Sequence, residues 1–279
     1  MPTKLDKIDV VTVGVGWTGG IVAAELGKAG YNVVGLEKGH DNRTVDFANK
    51  HDELRYIQRS ELMSNLSEDT VTFRNSTNET AKPVRDKQTT VTGVGVGGGG
   101  LHWAGYSHRY FPYDFEILSQ TIDRYGEDKL PKNHSLQDWG ITYEEMESYY
   151  EKFEKTLGLS GEENEFEPPR SSPYPTKPHK KTKIMSLIHQ AAENLGYHPF
   201  IRPAAALSEQ YQNPDGEVIN ACQYNAFCMS FACEYGARST PITTVIPTAE
   251  KTGNFELRTN SLVTRILHED GRATGVVYI

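Results

Sequence analysis

Two short apolar runs open the chain: Ile8-Asp9-Val10-Val11-Thr12-Val13 and Asn32-Val33-Val34-Gly35-Leu36. Between them lie several glycines and then Val22, Leu26 and Ala29 at helical spacing, so the opening predicts strand, tight turn, helix and strand. That order is a βαβ unit, the start of an α/β fold.

The pattern then changes. Residues 41–87 are polar and irregular, with helical spacing from Phe47 to Leu62 and an end at Lys82-Pro83-Val84. Thr89 to Gly100 alternates valine with glycine, closes on four consecutive glycines and runs at once into Leu101-His102-Trp103. After Asp138-Trp139-Gly140-Ile141, Thr142 and Glu145 have capping-box spacing and predict a helix running to Leu157. Glu167 to Lys183 is rich in proline and basic residues and predicts an extended surface connection, followed by an amphipathic helix around Lys183 to Leu195. From Phe255 onward apolar and polar positions alternate in two runs that turn at Glu269-Asp270-Gly271-Arg272, a hairpin pattern. The last residues fall inside the second run, from which we expect a fragment of a longer protein.

The first glycines carry candidate chemistry. Gly14-Val15-Gly16-Trp17-Thr18-Gly19 has G-x-G-x-x-G spacing: the first glycine permits the turn, the second lets backbone approach a pyrophosphate, and the third packs helix on strand. Glu37 ends the second apolar run about 20 residues on, where a carboxylate accepts from a ribose hydroxyl and repels a 2'-phosphate. A dinucleotide other than NADP is expected. The turn alone does not separate FAD from NAD. Four glycines in the second segment fit a flexible linker, but their apolar and aromatic flanks fit backbone passing close to a large planar ligand.

Composition narrows the classes. With 279 residues, 37% hydrophobic and rich in tyrosine and phenylalanine, the chain is expected to fold. A net charge of -8 argues against nucleic acid as the main partner, because the only dense basic run, Lys177 to Lys183, reads as a solvated loop. No stretch reaches the roughly 18 apolar residues of a membrane span, and no conventional secretion signal is visible. A cytoplasmic location, or delivery to the membrane surface by a partner, both remain open. Cys222, Cys228 and Cys233, the only cysteines, are an odd number and make no disulfide framework. Three thiolates so close together suit an iron-sulfur cluster, whereas buried thiols used only for packing fit equally.

Gly14 to Gly20 with Glu37-Lys38-Gly39, Gly93 to Gly105, Asp138-Trp139-Gly140-Ile141-Thr142-Tyr143 and the closing hairpin occur in an order that resembles the glucose-methanol-choline (GMC) flavin oxidoreductases. Within that family the chain is most similar to flavoprotein subunits of gluconate 2-dehydrogenase and related fructose, sorbitol and glucose dehydrogenases. The resemblance implies a Rossmann-like FAD-binding domain, α/β in an α+β whole, with an inserted and incomplete substrate domain. Residues 1–110 and 215–279 would be pieces of the FAD domain, and 111–214 the start of the substrate domain with its connecting helices. It implies that Gly14, Gly16 and Gly19 hold the pyrophosphate, Glu37 the adenosine ribose, and Gly97, Gly98, Gly99, Gly100 and His102 the flavin side. Val263 would meet adenine through its backbone.

Relatives with a His-Trp pair at this place attach the histidine to the 8-methyl carbon of the flavin, so His102 is either such a link or a packing neighbour. Ala104 stands where pyranose-oxidase-type sequences with covalent flavin have a hydroxyl residue. The implied reaction is oxidation of a CH-OH group in a sugar, sugar acid or polyol. Electrons would pass to a cytochrome or quinone, with a small subunit and a cytochrome c subunit as partners. The family's catalytic histidine belongs to its C-terminal part, and none of the histidines here has that setting, so no catalytic residue is assigned. Two other readings remain: a non-catalytic flavin- or partner-binding remnant, and an NAD-dependent Rossmann enzyme.

Overall fold

A computed structural model describes residues 3–47, 71–84, 93–225 and 231–279. The expected helix at Phe47 to Leu62 lies outside the described residues, apart from Phe47 itself, which ends a short 3-10 turn. Strand β1 (Val10–Val13), helix α1 (Trp17–Lys28) and strand β2 (Val33–Leu36) form the expected βαβ unit. β1 pairs with β2 in parallel, Val10 opposite Val33 through Val13 opposite Leu36. The sheet's third strand comes from far along the chain: Phe255–Arg258 pairs in parallel with β2. The start and the end of the sequence therefore share one sheet.

Two short antiparallel pairs lie between: β3 (Val71–Phe73) with β4 (Lys82–Val84), and β5 (Tyr211–Gln212) with β6 (Val218–Ile219). The helices of this region are α2 (Pro112–Phe115), α3 (Ile117–Tyr125), α4 (Tyr143–Leu157) and α5 (Lys183–Asn194). Helix α6 (Val245–Lys251) then leads into the third sheet strand, which we label β7. The expected hairpin closes the chain as β8 (Val263–Glu269) and β9 (Arg272–Tyr278), Glu269 facing Arg272 across Asp270 and Gly271. Both turn residues have positive φ, as a two-residue hairpin turn requires.

The capping box forms as expected: the Glu145 amide donates to Thr142 Oγ1 at 3.2 Å, and the Thr142 amide donates to Glu145 Oε2 at 2.8 Å. One local expectation fails. The buried face of α1 is Gly20, Ala23, Ala24 and Gly27, while Val22 and Ala29 are exposed. The reason is close helix packing: a Cβ on Gly20 would stand 2.7 Å from Val245 Cγ2, so small residues are needed where α1 meets α6. Helix α5 forms over the expected residues, but its apolar Ile184, Leu187 and Ile188 face solvent.

The main core packs Val15, Ala23, Ala24 and Val33 against Val96, Leu101, Ile242, Val245 and Ile246. Burying each valine or leucine side chain stabilises the fold by roughly 1.5–3 kcal/mol. A second cluster, Leu157, Leu159 and Ala205, packs with Trp103 and Phe153, and Trp17 touches both clusters. Trp17 meets Trp103 edge-on at 5.9 Å and Phe153 at 5.3 Å, which ties the first glycine turn to the middle of the chain.

Candidate dinucleotide site

At the carboxyl ends of β1 and β2 the backbone is shaped by two glycines. Gly14 has φ +84°, so a side chain there would be strained, and its amide donates to Leu36 O at 2.8 Å. A Cβ on Gly19 would lie 2.0 Å from Gly14 O, so only glycine lets α1 begin this close to β1. No side chain caps α1 and its first turn has no acidic residue, so the unpaired amides there point outward with the positive end of the helix dipole.

Glu37 is buried just past β2. Its Oε2 accepts from the Val15 amide at 3.0 Å and its Oε1 from the Gly39 amide at 2.9 Å. The carboxylate thus clamps the glycine turn to the strand end, and each oxygen keeps a lone pair beyond these bonds. The sequence pattern marked the acid but not this clamp.

The second glycine segment lies across the first. The Val96 amide donates to His40 O at 2.9 Å and the Gly97 amide to Val15 O at 2.7 Å, which brings Gly97 and Gly98 against Gly16. A short 3-10 turn, Gly98–Leu101, then carries the chain to His102. The structure therefore assembles Gly14, Gly16, Gly19, Glu37 and Gly97 to His102 at one end of the sheet, where open α/β sheets bind ligands. Val263 lies at the rim: the Ser261 amide donates to Glu37 O at 2.8 Å, two residues before the half-buried Val263.

His102 is 8% exposed, and its Nε2 is buried with no hydrogen-bond partner. Burial pushes the imidazole below its ordinary value, a hydrogen bond with its own backbone works in the other direction, and the Arg238 charge lowers it further. A neutral ring with an unengaged nitrogen follows. Trp103 is held by its Nε1 donating to Ser239 O at 3.0 Å. Sequence reasoning missed Arg238. It is 1% exposed and donates from Nη2 to Leu101 O at 2.6 Å and to Phe231 O. Its only mark in the sequence is being a lone base among Gly236, Ala237, Ser239 and Thr240.

Cys222 and Cys233 are half-buried, tied through backbone to Leu207 and Gly236 respectively, and Cys228 lies outside the described residues. Among the described residues no cluster of three or more metal-ligating side chains occurs, and no helix is long and apolar enough to cross a membrane.

Uncapped amides aimed at an anion, a glycine cradle and an orphaned buried imidazole fit a flavin dinucleotide. Fold and site together define the cofactor domain of a flavin-dependent oxidoreductase, a Rossmann-like α/β fold. No family model matches the chain. The flavoprotein of gluconate 2-dehydrogenase from Pantoea cypripedii is 36% identical over 99% of this chain and 48% of its own length. The large subunit of fructose dehydrogenase from Gluconobacter japonicus is 32% identical over 57% of this chain and 26% of its own. An FAD-dependent oxidoreductase of known structure from Chaetomium thermophilum shares the fold, with a TM-score of 0.54 and 16% identity over 98% of this chain and 42% of that one. The chain belongs to the GMC flavin oxidoreductases, and it spans about half the length of the gluconate 2-dehydrogenase flavoprotein.

Proposed function

We propose that this chain is the cofactor-holding part of a dehydrogenase that oxidises a CH-OH group of a sugar, sugar acid or polyol, as in gluconate 2-dehydrogenase. The observation that carries this reading is the packing of the second glycine segment over the first, beside the buried, unpartnered His102 Nε2. When bound, FAD supplies the hydride acceptor. The amides around Gly14, Gly16 and Gly19 hold its pyrophosphate, and Glu37 accepts from the adenosine ribose with the lone pairs its backbone clamp leaves. Gly97, Gly98, Gly99 and Gly100 let the backbone approach the flavin, and Val263 meets adenine through its main chain. On this reading residues 1–110 and 215–279 form the FAD domain and 111–214 begin the substrate domain.

His102 Nε2 is the proposed attachment point for the flavin's 8-methyl carbon. Such a bond would let His102 hold the flavin covalently, and it would need the neutral form of the ring so that a nitrogen lone pair is available. Support comes from the neutral ring and its free nitrogen. Acid precipitation checks it: yellow pellets are expected, and a supernatant holding all the flavin contradicts a covalent bond. Cys222, Cys228 and Cys233 are proposed to hold an iron-sulfur relay toward a cytochrome or quinone, with a small subunit and a cytochrome c subunit as partners. The name of the fructose dehydrogenase relative, a large subunit, is in keeping with a multi-subunit assembly. Iron and acid-labile sulfide at background in anaerobically purified protein would remove that relay. Activity is tested on the full-length product of its gene, by reduction of a dye acceptor with gluconate, fructose, glucose and sorbitol; reduction by at least one is expected, and none with flavin bound contradicts the assignment.

A further inference from the structure

A planar ligand lying against both glycine segments needs them at a fixed separation, which glycines cannot set by themselves because they have no side chains. Trp17 is placed to set it. It is the first residue of α1 and fills a variable position of the G-x-G-x-x-G turn. Its indole reaches the second segment: a Cβ on Gly100 would stand 2.8 Å from Trp17 Nε1 and 2.7 Å from Pro241 Cδ, so the two rings close on Gly100 and leave no room for a larger residue. The same indole meets Trp103 edge-on at 5.9 Å and Phe153 of α4 at 5.3 Å, with interplanar angles of 75° and 81°. Trp103 directly follows His102 and is itself fixed, because its Nε1 donates to Ser239 O. An ion pair beside this contact, Lys152 Nζ to Glu25 Oε2 at 2.6 Å, also holds α4 to α1. Gly100, Trp103 and Phe153 thus locate the indole in a close-packed site.

We propose that Trp17 is a positioning residue of the flavin side: its indole seats the second glycine segment against the dinucleotide turn and, through Trp103, fixes where His102 is presented. This inference rests on the FAD reading above. It assigns a role to a side chain at a position that the glycine motif leaves open. The effect is one of shape. Without the indole a void opens beside Gly100, neighbouring glycines have no side chains with which to fill it, and the backbone that faces the flavin is released to shift. Phe153 supplies the comparison. It packs with the second core cluster, whereas Trp17 packs with both. An aromatic cluster that served only stability would lose stability from either ring and leave the flavin unaltered.

The full-length product of the gene, as wild type, Trp17→Leu, Trp17→Phe and Phe153→Leu, separates these roles. Thermal unfolding, dissociation of FAD and the visible circular dichroism of the bound flavin are measured for each; where flavin stays attached, the fraction carried down by acid precipitation replaces dissociation. Trp17→Leu is expected to hold FAD on the order of tenfold more weakly, or to attach a smaller fraction of it, with altered dichroism. Trp17→Phe keeps an aromatic edge but not the full reach of the indole toward Gly100, so it is expected to fall between Trp17→Leu and wild type. Phe153→Leu is expected to unfold at a lower temperature with wild-type retention and dichroism. Folded Trp17→Leu with wild-type retention and dichroism overturns the inference, and so does a Phe153→Leu protein whose flavin is altered as much as in Trp17→Leu. If Trp17→Leu does not fold, Trp17→Phe decides: wild-type retention and dichroism in it overturn the inference. Wild-type protein that binds no FAD fails earlier, and overturns the FAD reading together with this one.

Discussion

The glycine cradle and the region around Arg109 are both rich in polar contacts, but they use them in opposite ways. In the cradle no side chain caps the N-terminus of α1, and Nε2 of His102 is buried with no hydrogen-bond partner. Around Arg109 the polar groups mostly satisfy one another, the buried Arg170 Nε being an exception. Arg109 grips Glu154 with two bonds of 2.8 and 2.9 Å, reaches Glu147 at 2.8 Å and Tyr143 OH at 3.1 Å, and Arg170 adds a bond to Glu154. Burial lowers the Arg109 pKa, but the hydrogen bonds it donates to Glu154, Tyr143 and Glu147 outweigh that and hold the guanidinium charged. A closed network fixes where segments lie, whereas donors left open are available to a ligand. On the proposed reading, the glycine end serves the cofactor and the Arg109 network serves the fold.

That contrast can be broken at either side. The largest effect is expected for Gly19→Val, whose side chain starts 2.0 Å from Gly14 O; FAD affinity should fall by on the order of a hundredfold or more in an equilibrium titration. Arg109→Met comes next. It leaves Glu154, 5% exposed, paired with Arg170 alone, and should cost up to about 3–5 kcal/mol in urea unfolding. If the two regions are as distinct as proposed, the flavin spectrum of the folded fraction stays unchanged. Glu37→Gln should be intermediate, losing about 1–3 kcal/mol because one backbone amide then meets an NH2 group, and weakening FAD as well. Loss of stability with unaltered FAD affinity would make Glu37 a clamp only. Thr142→Ala removes the α4 cap and should cost about 1 kcal/mol with no change at the cofactor site.

Features written in local spacing were legible from the sequence. The βαβ opening, the Thr142-Glu145 box and the Asp270-Gly271 turn each depend on a few neighbouring residues, and each formed as expected. The G-x-G-x-x-G turn announced the sheet end at which Glu37 and the second glycine segment meet. What was hidden depends on distant partners. Nothing near Gly20 shows that it faces Val245, so the helical spacing of Val22, Leu26 and Ala29 did not mark the face that α1 buries. Nor does any periodicity connect Arg238 with Leu101, since the two are joined only once the chain has folded back on itself. Buried polar side chains that serve one carbonyl leave no repeat to detect.

Equilibrium titration of the cofactor-free protein with FAD and, separately, with NAD tests the central claim most directly. One FAD is expected to bind per chain with a structured, shifted visible band, NAD is expected not to compete, and Gly19→Val should abolish the signal. Colourless protein that ignores FAD but binds NAD would contradict the account.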